Sequence, residues 1–87
     1  MALVHLGAGH MIPAKDIVLI ADLESTTYSK KTREFLEVAE EEGFITDFSE
    51  GNPKSFVVTD ETIYYSMISS STLSKRVNFA YNLNRDY

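Results

Sequence analysis

His5 and His10 stand five residues apart across Gly7, Ala8 and Gly9, and with the carboxylates Asp16, Asp22 and Asp47 they are this chain's candidates for acid/base or metal chemistry. A turn between them could bring two imidazoles together, but a metal ion would need a third ligand that no spacing singles out. His5 lies inside an apolar run and His10 beside a glycine turn, where a hydrogen-bonded structural histidine is the ordinary occupant. Gly-Ala-Gly lacks the helix and lysine that would follow in a phosphate loop, so it reads as a turn. Ser69, Ser70 and Ser71 have neither a Gly-x-Ser-x-Gly elbow nor an evident histidine base. The absence of cysteine excludes disulfides, thiol nucleophiles and cysteine-ligated zinc together. No catalytic residue, metal site or cofactor is expected.

Charge points to binding instead. The net charge of −5 argues against generic attraction to nucleic acid, whose backbone selects for excess Lys and Arg. The distribution is uneven, however. Residues 28–50 carry three basic against seven acidic side chains, and residues 51–87 carry four basic against three acidic. Lys30, Lys31 and Arg33 fall in the first turn of an expected helix and Glu40, Glu41 and Glu42 in its last, the reverse of what the helix dipole favours. One reading is a solvated face that tolerates a small cost. The other makes Glu40, Glu41 and Glu42 a subunit interface that meets a basic patch on a neighbouring copy, for example Lys75 and Arg76. Head-to-tail self-assembly needs such a pair of unlike surfaces. Lys54, in a turn after Pro53, and Lys75 with Arg76, on the exposed face of the last helix, are either solvated surface or a phosphate-contacting ridge multiplied by oligomerisation. Backbone N–H groups near Ser71 could add a phosphate contact. Nothing here reads base edges, so any binding would follow backbone shape.

The elements that must position these residues follow from periodicity. Eighty-seven residues make one domain with a limited core, to which self-association would add burial. Leu3 to Leu6 predict a strand ended by the glycine turn, and residues 16–23, a β-branched run, predict a strand buried on both faces and paired with the first as a hairpin. Residues 24–27 read as a turn. Residues 28–42 change to helical spacing, with Tyr28, Thr32, Phe35, Leu36 and Ala39 on one stripe and Gly43 as the left-handed stop. Residues 44–48 alternate as a strand. Residues 56–59 and 62–65 predict a hairpin at Asp60 and Glu61, a pair lacking the glycine that a type I′ turn prefers, which leaves a longer loop open. Ser69, Ser70 or Ser71 caps a final helix to about Ala80, with Leu73, Val77 and Ala80 at helical spacing and residues 82–87 fraying. The expected fold is α+β, a small single domain of about five mainly antiparallel strands with two helices. No apolar run approaches the roughly 18 residues of a membrane-spanning helix, and no secretion signal is legible. Cytoplasmic residence is the default expectation.

Asn-Pro-Lys-Ser-Phe-Val-Val-Thr at 52–59, Ile-Tyr-Tyr-Ser at 63–66 and Ser-Ser-Ser-Thr-Leu-Ser-Lys-Arg at 69–76 resemble the RemB branch of the RemA/RemB family. His5, Leu6 and Gly7, with Ile-Val-Leu-Ile at 17–20, resemble the family's opening, so residues 1–87 are expected to form a single RemB-like domain. The resemblance implies a small bacterial cytoplasmic regulator of extracellular-matrix and biofilm genes that assembles into a homo-oligomeric ring and binds DNA through basic residues on it. In the RemA branch, DNA contact is associated with adjacent arginines after the turn glycine and with a basic residue at the start of the second strand. This chain has Asn52 and Pro53 after Gly51, and Asp16 preceded by Lys15, which leaves Lys54 and Lys15 as the nearest substitutes.

The leading expectation is therefore a non-enzymatic transcription regulator, a ring that binds DNA weakly through Lys15, Lys54, Lys75 and Arg76. The alternative is a ring-forming scaffold that acts through a regulatory protein partner by way of its acidic helix. A small-molecule enzyme comes third. No membrane contact is expected.

Overall fold

Gly7 and Gly9, with φ of 113° and 78°, and Ala8 at 52° reverse the chain immediately after the first strand. A computed structural model describes residues 2–24 and 29–84; most of the turn expected over residues 24–27, the apolar position Tyr28 and the end of the expected fraying segment lie outside them. The reversal pairs β1 (Leu3–Gly7) with β2 (His10–Pro13), Val4 opposite Ile12. The hairpin expected between the first strand and residues 16–23 does not form. The glycine turn is so tight that Met11 and Ile12 are already the returning strand, and a single 3-10 turn at Ala14–Asp16 then redirects the chain.

The second sheet holds β3 (Ile17–Asp22), β4 (Ile45–Phe48), β5 (Ser55–Thr59) and β6 (Ile63–Ser66) in the order β3-β5-β6-β4. Its pairings are antiparallel except for β4 with β6, and among the described residues six strands in two sheets stand where about five were expected. β3 is an edge strand, and Val18 and Leu19 are exposed, against the expectation of a strand buried on both faces. An apolar β-branched run does not distinguish an edge from a centre, because it records what each face touches and not which neighbours are present. The β5–β6 hairpin turns at Asp60 and Glu61 without glycine. The Thr59 amide donates to the Thr62 carbonyl at 3.0 Å, and the Thr62 amide donates to the Thr59 hydroxyl at 3.1 Å.

Strand alternation then builds two cores, one on each face of this sheet. Leu36 and Ala39 of α1 (Lys30–Glu41) bury against Phe56 and Ile63, with Val58 and Tyr65 at the margin. On the opposite face Val57 packs with Val4, Leu6, Ile12 and Ala14 of the first hairpin and 3-10 turn, and with Leu73 and Ala80 of α2 (Ser70–Asn84). The molecule is thus three layers: α1, the four-stranded sheet, and α2 with the β1–β2 hairpin. Both helices have the ends that their residues dictate. Ser29 and Ser69 cap them by accepting from Thr32 and Thr72 amides at 3.1 and 3.3 Å. At the end of α1, Gly43 (φ 79°) donates to the Glu40 carbonyl and Phe44 to the Ala39 carbonyl, the paired bonds of a Schellman motif. α2 runs to Asn84, beyond the expected stop near Ala80.

Candidate functional site

Among the acid/base candidates, His10, Asp22 and Asp47 make side-chain contacts within the framework, and His5 contributes its backbone. The ring of His10 stacks on Phe48 at 3.9 Å, and Phe48 stacks on Tyr64 at 5.2 Å. His5 lends its backbone carbonyl to the Arg76 guanidinium at 2.9 Å. Asp22 accepts from the Glu24 amide at 2.8 Å. Asp47 accepts from the Ser49 hydroxyl and from the Ser49 amide, the latter at 2.7 Å, and these bonds, the hydroxyl's first, hold its carboxyl below the usual aspartate range. The amide of Gly51 adds to the same effect. Among the described residues, no group of three or more His, Cys, Asp or Glu side chains is placed to hold a metal ion. Ser69, one of the three serines weighed as a nucleophile, is the α2 cap.

The basic residues divide between the two ends of the sheet and one helix. Lys54 is exposed beside the start of β5, where its carbonyl accepts from the Leu23 amide at 2.9 Å. Because Asp22 pairs with Ser55 and Ile17 with Thr59, the exposed Lys15 lies at the far end of β3. Six strand residues separate the two lysines by about 20 Å. Lys75 and Arg76 are the pair that the structure does bring together, both exposed on α2. Their stripe is Thr72, Lys75, Arg76 and Phe79, spaced at i, i+3, i+4 and i+7, and with Leu3 and His5 of β1 it lines a shallow groove. Phe79 and Leu3 are 64% and 51% exposed, so the floor of this basic groove is apolar and open to water.

The acidic residues divide as well. Glu40, Glu41 and Glu42 are all exposed, and of these the Glu40 carboxylate accepts from the Tyr65 hydroxyl at 3.0 Å. Lys30 and Glu34 approach to 4.0 Å in the open, a contact of little stabilising value. A second apolar groove lies between α1 and the β5–β6 turn. Phe35, Val38 and Phe44 line it, each more than half exposed, with Glu42, Asp60 and Glu61 also lining it. Sequence periodicity places Phe35 on the buried stripe of α1 and Phe44 at the start of a strand, and both are more than half exposed instead, with β4 beginning at Ile45. The signal for Phe79 was available, since a phenylalanine at i+3 from Arg76 and i+7 from Thr72 falls outside the Leu73, Val77, Ala80 stripe.

Such a fold defines a small α+β module that leaves two apolar grooves open on its surface. No helix among the described residues is long and apolar enough to cross a membrane. The chain belongs to the RemA-like family, described as extracellular matrix regulatory protein A-like, whose model matches residues 3–77. It is 39% identical over 80 residues to the extracellular matrix regulatory protein B of Bacillus subtilis (strain 168), a match spanning 92% of this chain and 95% of that protein. The RemB-like resemblance carried by residues 52–76 is thereby borne out.

Proposed function

We propose that this chain, as a single RemB-like domain in the cytoplasm, is a non-enzymatic regulator of extracellular-matrix and biofilm gene expression. It would act as a homo-oligomeric ring that contacts DNA weakly. The observation that carries the regulatory part is the 39% identity, over nearly the whole of both chains, to a protein named as an extracellular matrix regulator. The DNA part rests first on Lys54, which is exposed, as are the other candidates Lys15, Lys75 and Arg76. Each copy offers few cations, so binding depends on repetition: affinity rises with the number of phosphates neutralised at once.

Two measurements test this reading. The mass in solution should be several times that of one chain. A gel shift at low salt should show DNA binding that weakens steeply as salt rises. A monomer defeats the ring, and no shift at low salt defeats the DNA role.

The three exposed phenylalanines and the acidic lining of the α1 groove favour a second reading, a ring-forming scaffold that recruits a regulatory protein and does not touch DNA. Capture of a basic protein partner, abolished by reversing Glu42, Asp60 and Glu61, would select it.

A further inference from the structure

We infer that copies of this chain associate head to tail, the acid-lined apolar groove beside α1 of one copy closing on the basic-lined apolar groove beside α2 of the next. This rests on the homo-oligomeric reading above and names the surfaces involved. Phe35, Val38 and Phe44 are 52%, 55% and 56% exposed, and carboxylates alone among charged groups, Glu42, Asp60 and Glu61, line the same groove. On the other face of the sheet, Leu3 and Phe79 are 51% and 64% exposed, and there the charged lining is Lys75 and Arg76. Two open apolar surfaces of opposite charge on one small chain are complementary to each other.

Charge also decides the symmetry. A twofold contact would set each surface against itself, carboxylates against carboxylates or cations against cations. Pairing unlike surfaces removes that repulsion. The grooves lie in opposite layers, one beside α1 and one beside α2, so each copy engages a different neighbour through each and the contact propagates until it closes. The same geometry revises the expected interface residues. Glu42 belongs to it, Asp60 and Glu61 join it, and Glu40 is occupied by Tyr65.

The test uses two variants of the full chain, Val38→Lys to block the acidic groove and Phe79→Glu to block the basic one. Both positions are exposed, and circular dichroism checks that each variant folds; Asp60→Lys with Glu61→Lys, and Lys75→Glu, replace either one that does not. Sedimentation of each variant alone should show loss of the wild-type assembly to monomer. An equimolar mixture should form a one-to-one complex and nothing larger, because only one productive pair of surfaces remains. A monomeric wild type would overturn the homo-oligomeric reading and this inference together. A wild-type assembly that both folded variants retain would overturn the inference alone. Two monomeric variants that fail to combine would overturn the head-to-tail pairing.

Discussion

Asp47 shows how a residue that looks chemical can be structural. Its carboxylate gathers the amide and hydroxyl of Ser49 and the amide of Gly51, and so it holds the turn in which Glu50 and Gly51 take φ of 58° and 85°. The carboxyl's affinity for protons is lowered in the folded state, so its stabilising effect is present above the unfolded aspartate value near 3.9 and is lost as pH falls through the lower folded value. Asp47→Asn should therefore melt below the wild type at pH 7, and the gap should narrow by pH 3. A gap independent of pH would show that the charge is not what holds the turn. Sequence alone could nominate Asp47 only as a generic acid, because its role depends on two amides and a hydroxyl that the turn brings to it.

At the scale of elements, α2 separates burial from contact along one helix. Leu73 is fully buried against the first hairpin and the sheet, whereas Phe79, six residues on, is mostly in water. Leu73→Ala should cost about 2–5 kcal/mol in chemical denaturation, the usual range for a large-to-small change in a core. Phe79→Ser should change the stability of the monomer by less than about 0.5 kcal/mol, as exposed substitutions do. If Phe79→Ser costs as much as Leu73→Ala in a monomeric background, Phe79 is a core residue and not a contact surface. The helices were legible because caps and 3.6-residue spacing are local: Ser29, Gly43, Ser69 and the Leu73, Val77, Ala80 stripe all act within a turn or two. The strand partners were not. The position of β3 at the sheet edge and the parallel run of β4 beside β6 are set by long-range pairing that alternation cannot report. The exposed grooves were half legible, since charge can be counted in sequence but the exposure of Phe35 and Phe44 depends on how α1 lies over the β5–β6 turn.

At the scale of the whole molecule, the two ends of the sheet differ in what they leave free. Lys54 lies at the end where Ser55 donates to the Ile68 carbonyl at 2.7 Å, so it shares that end with the capped start of α2, whose amides carry partial positive charge. Lys15 lies at the other end, where Asp16, Asp60 and Glu61 line a common notch and where the head-to-tail contact would draw Asp60 and Glu61 into a subunit boundary. An assembly built that way repeats the Lys54 end in every copy, while carboxylates neutralise the Lys15 ends. Lys54→Glu should accordingly weaken DNA binding more than tenfold at low salt, since each reversed charge is repeated in every copy. It should also flatten the dependence of affinity on salt, by about 0.9 in the log–log slope for each phosphate that is no longer neutralised. Lys15→Glu should leave both quantities within about twofold of the wild type, because the potential at that end is already set by carboxylates. Equal losses from the two substitutions would mean that DNA spans both ends of the sheet, and a loss confined to Lys15→Glu would invert the orientation of the assembly on the duplex.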